Sequence, residues 1–383
     1  MRICYIATNS EITGATLSLL GLIDEMINMG NELLIVAMNR GYLTEELEKR
    51  KIRYIVISTF PTYLRIGNKR TLKGRLRIMR KKWFDFFSYK RFEQLIHLEK
   101  IDIVHYNAST IDAGYKAFKK NNIPIVWHIR ELLEEDLGGE FFSKNQMKKK
   151  LSDANRVIAI SKSVEEKYEC LHNIQLIYNG IDVDPFRKLI KRHERKICIG
   201  IVGRITEKKG QLEVLKAFNL LVKREFSDIS LKIIGEFETE EYKQKILNYI
   251  NDESLGNIVE LTGPLKKPEE IWNTIDIAVI ASHFEAFGRV TIEAVLAGSL
   301  VIGADTGGTK ELLDYLQTGM LYQQGNIKDL EEKLEAALTL VKEVREKEKI
   351  QKSKEKAFID FSAKENARKI EIVYQKILSN IYI

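Results

Sequence analysis

Cysteine is scarce in this chain, and the three that occur, Cys4, Cys170 and Cys198, fall at no paired or metal-ligand spacing. Cys4 and Cys198 sit inside apolar strand-like runs, where cysteine behaves as a small hydrophobe, and a reducing compartment fits best. No apolar run approaches the length of a bilayer span, and the apolar start, residues 1–7, ends too soon for a signal peptide. A cytoplasmic protein is expected, with any membrane contact peripheral and on the inner face. Repeats and low-complexity tracts are absent. The first strand-like run is not followed by the three-glycine dinucleotide fingerprint, which argues against a dehydrogenase. No clustered Asp and His mark a cation site near the glycine-containing loops, so no metal is expected.

At 383 residues the chain exceeds one typical core, and two domains are expected. Its 44% hydrophobic and 30% charged residues are those of an ordinary globular protein. The net charge of +7 is concentrated: residues 65–92 carry eleven Lys or Arg against Asp85 alone, a local +10 that leaves −3 for the rest. There Leu72, Leu76, Met79, Trp83 and Phe86 recur at steps of four and three, one apolar stripe of a helix. Lys73, Arg75, Arg77, Arg80, Lys81 and Lys82 crowd its other sides. Such a helix either packs its stripe on the domain or lies on an anionic membrane surface. The cations form one segment with no accompanying recognition motif, so nucleic acid is not an expected partner.

Short β-prone runs alternate with helical spacing along the whole chain. They fall at 2–7, 33–37, 54–57, 103–106, 124–129 and 156–160, then at 196–202, 230–235, 258–262, 275–281, 300–303 and 320–322. This alternation predicts an α/β, doubly wound fold, in which ligands bind at the carboxyl ends of the strands. The charged stretch 186–196 reads as a linker, 329–356 as one solvated helix, and 361–383 as a helix with Ile370, Val373, Ile377 and Ile381 on one stripe.

Strand ends carry the candidate chemistry. Glu285 leaves the run 275–281, and Glu293 falls near the amino terminus of the helix that follows; two carboxylates lining one crevice suit the hydroxyls of a sugar. Arg204 and Lys209 flank a loop between the strand 196–202 and the helix 211–223, where fixed cations add to a helix dipole as an anion site. Gly14, between the first strand and helix, either admits a phosphate to the backbone or is an ordinary turn. His128 ends the strand 124–129, where a lone histidine is as readily structural as functional.

The run Glu285-Ala286-Phe287-Gly288, followed by Glu293-Ala294 and Ala297-Gly298, closely resembles the signature of retaining glycosyltransferases of family 4, the glycogen-synthase-like enzymes of bacterial surface-polysaccharide type. Gly203-Arg204 with Lys209-Gly210 is similar to the family's glycine–arginine and lysine–glycine pattern, and Asn179-Gly180-Ile181-Asp182 to the turn that closes its first domain. The resemblance implies the GT-B architecture: two Rossmann-like domains facing across a cleft, with the last helix crossing back to the first. It implies an acceptor domain at 1–185, a nucleotide-sugar domain at 196–361 and a returning helix at 362–383. Arg204 and Lys209 would hold the diphosphate, Glu293 the ribose, and Glu285 with the backbone of Phe287 and Gly288 the donor sugar. His128 would face that sugar, and the turn at Leu265 would lie beside the base unless it is a plain tight turn. Family members commonly carry two glycines where this chain has Thr13-Gly14.

The implied activity is transfer of a sugar from a nucleotide-sugar, a UDP-sugar first, to the hydroxyl of a sugar or lipid-linked acceptor, with retention and with no cofactor beyond the donor. It belongs in cell-surface polysaccharide or glycolipid synthesis. The alternative from another class is a non-catalytic nucleotide- or nucleic-acid-binding Rossmann protein.

Overall fold

The computed structural model describes residues 1–8, 11–191 and 196–380. Asn9 and Ser10 of the first loop, residues 192–195 of the expected linker and Ile381 of the expected last stripe lie outside the described residues. The chain divides into two compact units, Met1–Ile181 with Ala363–Ile383, and Asp182–Ser362.

The first unit contains β1 (Arg2–Ile6), α1 (Gly14–Asn28), β2 (Glu32–Ala37), α2 (Tyr42–Lys49), β3 (Tyr54–Val56), β4 (Tyr63–Arg65), α3 (Leu72–Glu99), β5 (Ile103–Tyr106), α4 (Tyr115–Lys120), β6 (Ile125–Ile129), β7 (Gly139–Phe141), α5 (Lys144–Ser152), β8 (Arg156–Ala159), α6 (Lys162–Lys167) and β9 (Ile174–Leu176). Seven strands form a parallel sheet in the order β3-β2-β1-β5-β6-β8-β9. β5 and β6 are buried at every residue, which is why they read as apolar runs broken only by His105 and His128. β4 and β7 pair antiparallel outside that sheet. They are too short to show a period in the sequence.

The second unit contains α7 (Asp184–Arg187), β10 (Ile197–Val202), α8 (Gln211–Lys223), β11 (Ile229–Ile234), α9 (Glu240–Asp252), β12 (Val259–Gly263), α10 (Pro268–Trp272), β13 (Ile277–Ile280), α11 (Arg289–Leu296), β14 (Leu300–Ala304), α12 (Gly307–Leu316), β15 (Met320–Tyr322), α13 (Ile327–Leu340) and α14 (Val344–Asp360). Its six parallel strands run β12-β11-β10-β13-β14-β15. The expected single helix over 329–356 is two, because α13 buries Leu330, Leu334, Ala337 and Leu338 in the core and ends before α14 begins. Its Glu and Lys content hid an inward apolar face.

The last helix, α15 (Ala363–Ser379), returns to the first unit. Ile370, Val373, Tyr374 and Ile377 join Leu19, Leu20 and Ile23 in one core cluster. The approach is close enough that a Cβ on Gly180 would lie 2.7 Å from the Ala363 Cα. The Ala363 amide donates to the Ile181 carbonyl at 2.9 Å.

The basic helix α3 is longer than its stripe. Phe92, Leu95 and Ile96 in its second half face the core, whereas Leu72, Leu76, Met79, Trp83 and Phe86 are between 49% and 75% exposed. The expected stripe therefore forms, and it faces solvent rather than packing on its own unit. Among the described residues no helix is long and apolar enough to cross a membrane.

Candidate functional site

Each unit gathers polar groups at one end of its sheet. In the second unit, β10 runs into Gly203 and Arg204, and the chain then makes a short 3₁₀ turn, Glu207–Lys209, before α8. Gly210 starts α8 at φ +73°, and a Cβ there would lie 2.3 Å from the Ala281 carbonyl oxygen. That close approach sets the loop after β10 against the loop after β13. The Lys209 Nζ donates to Glu285 Oε1 at 2.5 Å, and Ser282 Oγ donates to the same oxygen at 2.7 Å. The His283 amide donates to the Lys208 carbonyl at 2.8 Å.

The loop after β14 closes on the same place. The Gly308 amide donates to the Glu285 carbonyl at 2.7 Å, and a Cβ on Gly308 would lie 2.2 Å from the Phe287 carbonyl oxygen. Phe287 is buried, and Gly288 precedes α11 in the left-handed region at φ +87°. One turn on, Arg289 Nε holds Glu293 Oε1 at 2.8 Å.

Capping separates these helices from their neighbours. Thr239 and Asn326 cap α9 and α13 with side-chain oxygens, whereas α8, α11 and α12 start at Gly210, Gly288 and Thr306 with no side-chain cap. Their first N–H groups have no intrahelical acceptor. The Leu212 amide of α8 meets the Tyr242 hydroxyl at 3.3 Å and the Gly308 amide of α12 the Glu285 carbonyl; the other first-turn amides, with a lysine beside them, are of the kind that suits an anion, and the carboxylates of Glu285 and Glu293 add acceptors for hydroxyls. Arg204 points elsewhere: its guanidinium lies 3.5 Å from Glu238, with both side chains more than half exposed. Leu265 is half-buried past β12, on the far side of β10 from β13. Among the described residues no three His, Cys, Asp or Glu side chains group as metal ligands.

In the first unit, Gly14 is the first residue of α1, and Thr13 caps that helix by accepting from the Thr16 amide at 3.2 Å. The Asn107 side chain donates to the Ala15 carbonyl at 3.4 Å and accepts from Arg130 Nε at 2.7 Å. Arg130 also donates to Asn179, so one guanidinium ties the ends of β5 and β6 to the turn after β9. Glu131 accepts from the Ser109 amide at 2.8 Å and its hydroxyl at 2.6 Å. Arg130 and Glu131, adjacent to a strand end, thus hold loops together. His128 is fully buried with neither ring nitrogen hydrogen-bonded, and burial, then Arg130 and His105, push its pKa well below 6.5. Burial thus favours the neutral imidazole. His105 Nδ1 instead meets the Tyr374 hydroxyl at 2.6 Å and anchors α15.

The sequence reading named Lys209, Glu285, Phe287 and Gly288, and the structure brings these together in the second unit. Glu293 follows on α11 with its own partner. His128 and Gly14 belong to the first unit. Ser282 and Arg289 were missed; each orients one of the two carboxylates, and the only sequence signals were a hydroxyl at a strand end and an i, i+4 spacing.

Two doubly wound parallel sheets, one with a lysine, two carboxylates and three helix amino termini gathered beyond its strand ends, define an α/β class that binds ligands at that edge. Residues 182–357 match the family described as glycosyl transferases group 1, and residues 12–185 match glycosyltransferase family 4. The capsular polysaccharide biosynthesis glycosyltransferase CapM of Staphylococcus aureus is 28% identical over 274 residues, which cover 66% of this chain and 71% of that one. Among solved structures, a glycosyltransferase from Rickettsia africae superposes with a TM-score of 0.81 at 21% identity, covering 99% of both chains. HepE of Anabaena, solved with UDP, gives 0.78 at 18% identity, covering 98% of this chain and all of that one. The fold is GT-B, and the chain belongs to the family 4 type of glycosyltransferases. A glycosyltransferase, rather than a non-catalytic nucleotide- or nucleic-acid-binding module, is what it is.

Proposed function

We propose that this chain transfers a sugar from a UDP-sugar to an acceptor hydroxyl with retention of anomeric configuration, using neither a metal ion nor a cofactor beyond the donor. The observation that carries the reading is the convergence on the Lys209–Glu285 pair of three helix amino termini whose N-cap residues make no side-chain cap. The UDP held by the HepE structure supports the choice of base, and the capsular role of CapM supports surface-polysaccharide or glycolipid synthesis.

In this reading the diphosphate lies against the first amides of these helices, with Lys209 bridging from Glu285 to phosphate. Fixed donors at the leaving group stabilise charge as the glycosidic bond breaks. The sugar passes through an oxocarbenium-like state while the acceptor hydroxyl attacks from the leaving-group face and gives its proton to the departing phosphate oxygen. Arg204 reaches the diphosphate by exchanging its exposed partner Glu238, an ion pair that costs little to break. Glu285, oriented by Ser282, positions the donor sugar with the backbone at Phe287 and Gly288, and Glu293 takes the ribose. The roles that the resemblance gives His128, Gly14 and Leu265 belong to the same proposal.

The proposal also places α3 on an anionic membrane at the inner face. At about 100° per residue its exposed stripe occupies one arc, bordered by Lys73 and Arg80 on one side and Arg75 and Lys82 on the other. Proton NMR of the first-formed product tests the reaction: an α-linked product from an α-linked donor supports it, and a β-linked product overturns retention.

A further inference from the structure

We propose that the first unit carries a binding site for the phosphate-bearing end of a membrane lipid, in the cavity bounded by α3, α4 and α5. The inference rests on the membrane placement of α3 and adds to it a specific ligand. The cavity measures about 990 Å³, which is ample for a headgroup and the first part of a chain.

Its net charge is positive. Seven lysines and three aspartates line it, and the aspartates are already neutralised. Lys81 Nζ, almost fully buried, lies 2.7 Å from both Asp85 and Asp112; Lys150 pairs with Asp112, and Lys119 with Asp153. That leaves Lys82, Lys90, Lys116 and Lys149, which form no ion pair among the described residues. These four exposed cations, of which Lys149 also lies within electrostatic reach of Asp153, rim a floor that is internally balanced and give the cavity a net positive charge that favours an anion.

Most of the remaining lining is aromatic or aliphatic, Phe86, Phe142 and Met147 among it, with the hydroxyls of Thr62 and Ser143 and the amide of Gln146 set between them. Phe86 also belongs to the exposed stripe of α3, so the cavity wall continues onto the face that meets the membrane. Free phosphate would satisfy the lysines and leave this wall uncovered. A phosphate carrying a hydrocarbon chain satisfies both, and a bilayer under α3 delivers it in the required orientation, headgroup up and chain down.

Calorimetry with dihexanoyl phosphatidic acid below its micelle concentration tests the site without a membrane, with inorganic phosphate and dihexanoyl phosphatidylcholine as comparators. The phosphatidic acid should bind about tenfold tighter than either comparator or better, and Lys116→Gln with Lys149→Gln should weaken it by about tenfold. Both lysines are exposed, so the variant should melt as the wild type does. Co-sedimentation with phosphatidylglycerol vesicles at low salt tests the placement of α3 separately, and Leu76→Ser with Met79→Ser should abolish it while leaving phosphatidic acid binding intact. Phosphatidic acid bound no tighter than phosphate, or equally by the lysine variant, overturns the site even where vesicle binding persists. Vesicle binding lost in the wild type, with phosphatidic acid still bound, overturns the placement instead.

Discussion

Glu131 and His128 end the same strand region, and burial moves their protonation in opposite senses. Burial pushes the Glu131 carboxyl up to about 7 from 4.5, although the Ser109 hydroxyl and amide and the Arg130 amide pull it back. The folded chain therefore holds this proton where the unfolded chain has lost it. Stability from Glu131 is greatest below 4.5 and falls as pH rises to about 7. His128, lowered well below 6.5, works the other way: the unfolded chain takes up a proton there first, so its contribution is lost as pH falls below 6.5. Glu131→Gln separates the two. Thermal melts should show a wild-type loss, relative to the variant, across the window from 4.5 to about 7; parallel curves would contradict it. None of this was legible in the sequence, which shows a histidine and a carboxylate near a strand end and not the burial or the donors around them. Lys209 and Glu285 stand out in the sequence as a cation and a carboxylate beyond strand ends, but their contact joins loops 76 positions apart that only the fold brings together.

The loops after β13 and β14 meet through glycine. Gly308→Ala would set a Cβ 2.2 Å from the Phe287 carbonyl, a backbone atom that cannot swing aside. Overpacking of this kind costs about 1–3 kcal/mol. The variant should melt earlier and bind UDP more weakly, whereas Gly256→Ala, with nothing within 4 Å of the added atom, should do neither. Differential scanning calorimetry with and without UDP reads both, and wild-type behaviour of Gly308→Ala would show that the loops are not locked together. Among the helices, α3 shows where pattern reading stops. A stripe of Leu72, Leu76, Met79, Trp83 and Phe86 looks the same whether it faces core or solvent; the deciding fact is that Lys81, Ser88 and Phe92 on the opposite side are the buried ones. The single helix expected at 329–356 failed for a related reason, since abundant Glu and Lys masked the buried Leu330, Leu334 and Leu338 of α13.

Across the two units the parallel order of strands was readable because every crossover needs a helix, so runs such as Ile125–Ile129 and Leu300–Ala304 stand out as apolar islands between helical segments. The pairing of β4 with β7 left no such trace. The return of α15 came only from the family resemblance; its stripe showed an amphipathic helix, and the structure finds that stripe against α1, with Gly180 admitting the close approach. All of the chemistry proposed here turns on one assertion, that the second unit stabilises a departing UDP with helix amides and Lys209 rather than with a metal ion. Removing a charged hydrogen-bond partner costs about 1.5–3 kcal/mol, roughly ten- to a hundred-fold in rate. The decisive measurement is UDP release from a panel of UDP-sugars in excess EDTA, by the wild type and by Lys209→Ala. The account predicts that the wild type releases UDP from at least one sugar nucleotide at a rate that EDTA does not change, and that Lys209→Ala slows it by that factor. Release that stops in EDTA and returns with magnesium or manganese, or that Lys209→Ala leaves untouched, would contradict it.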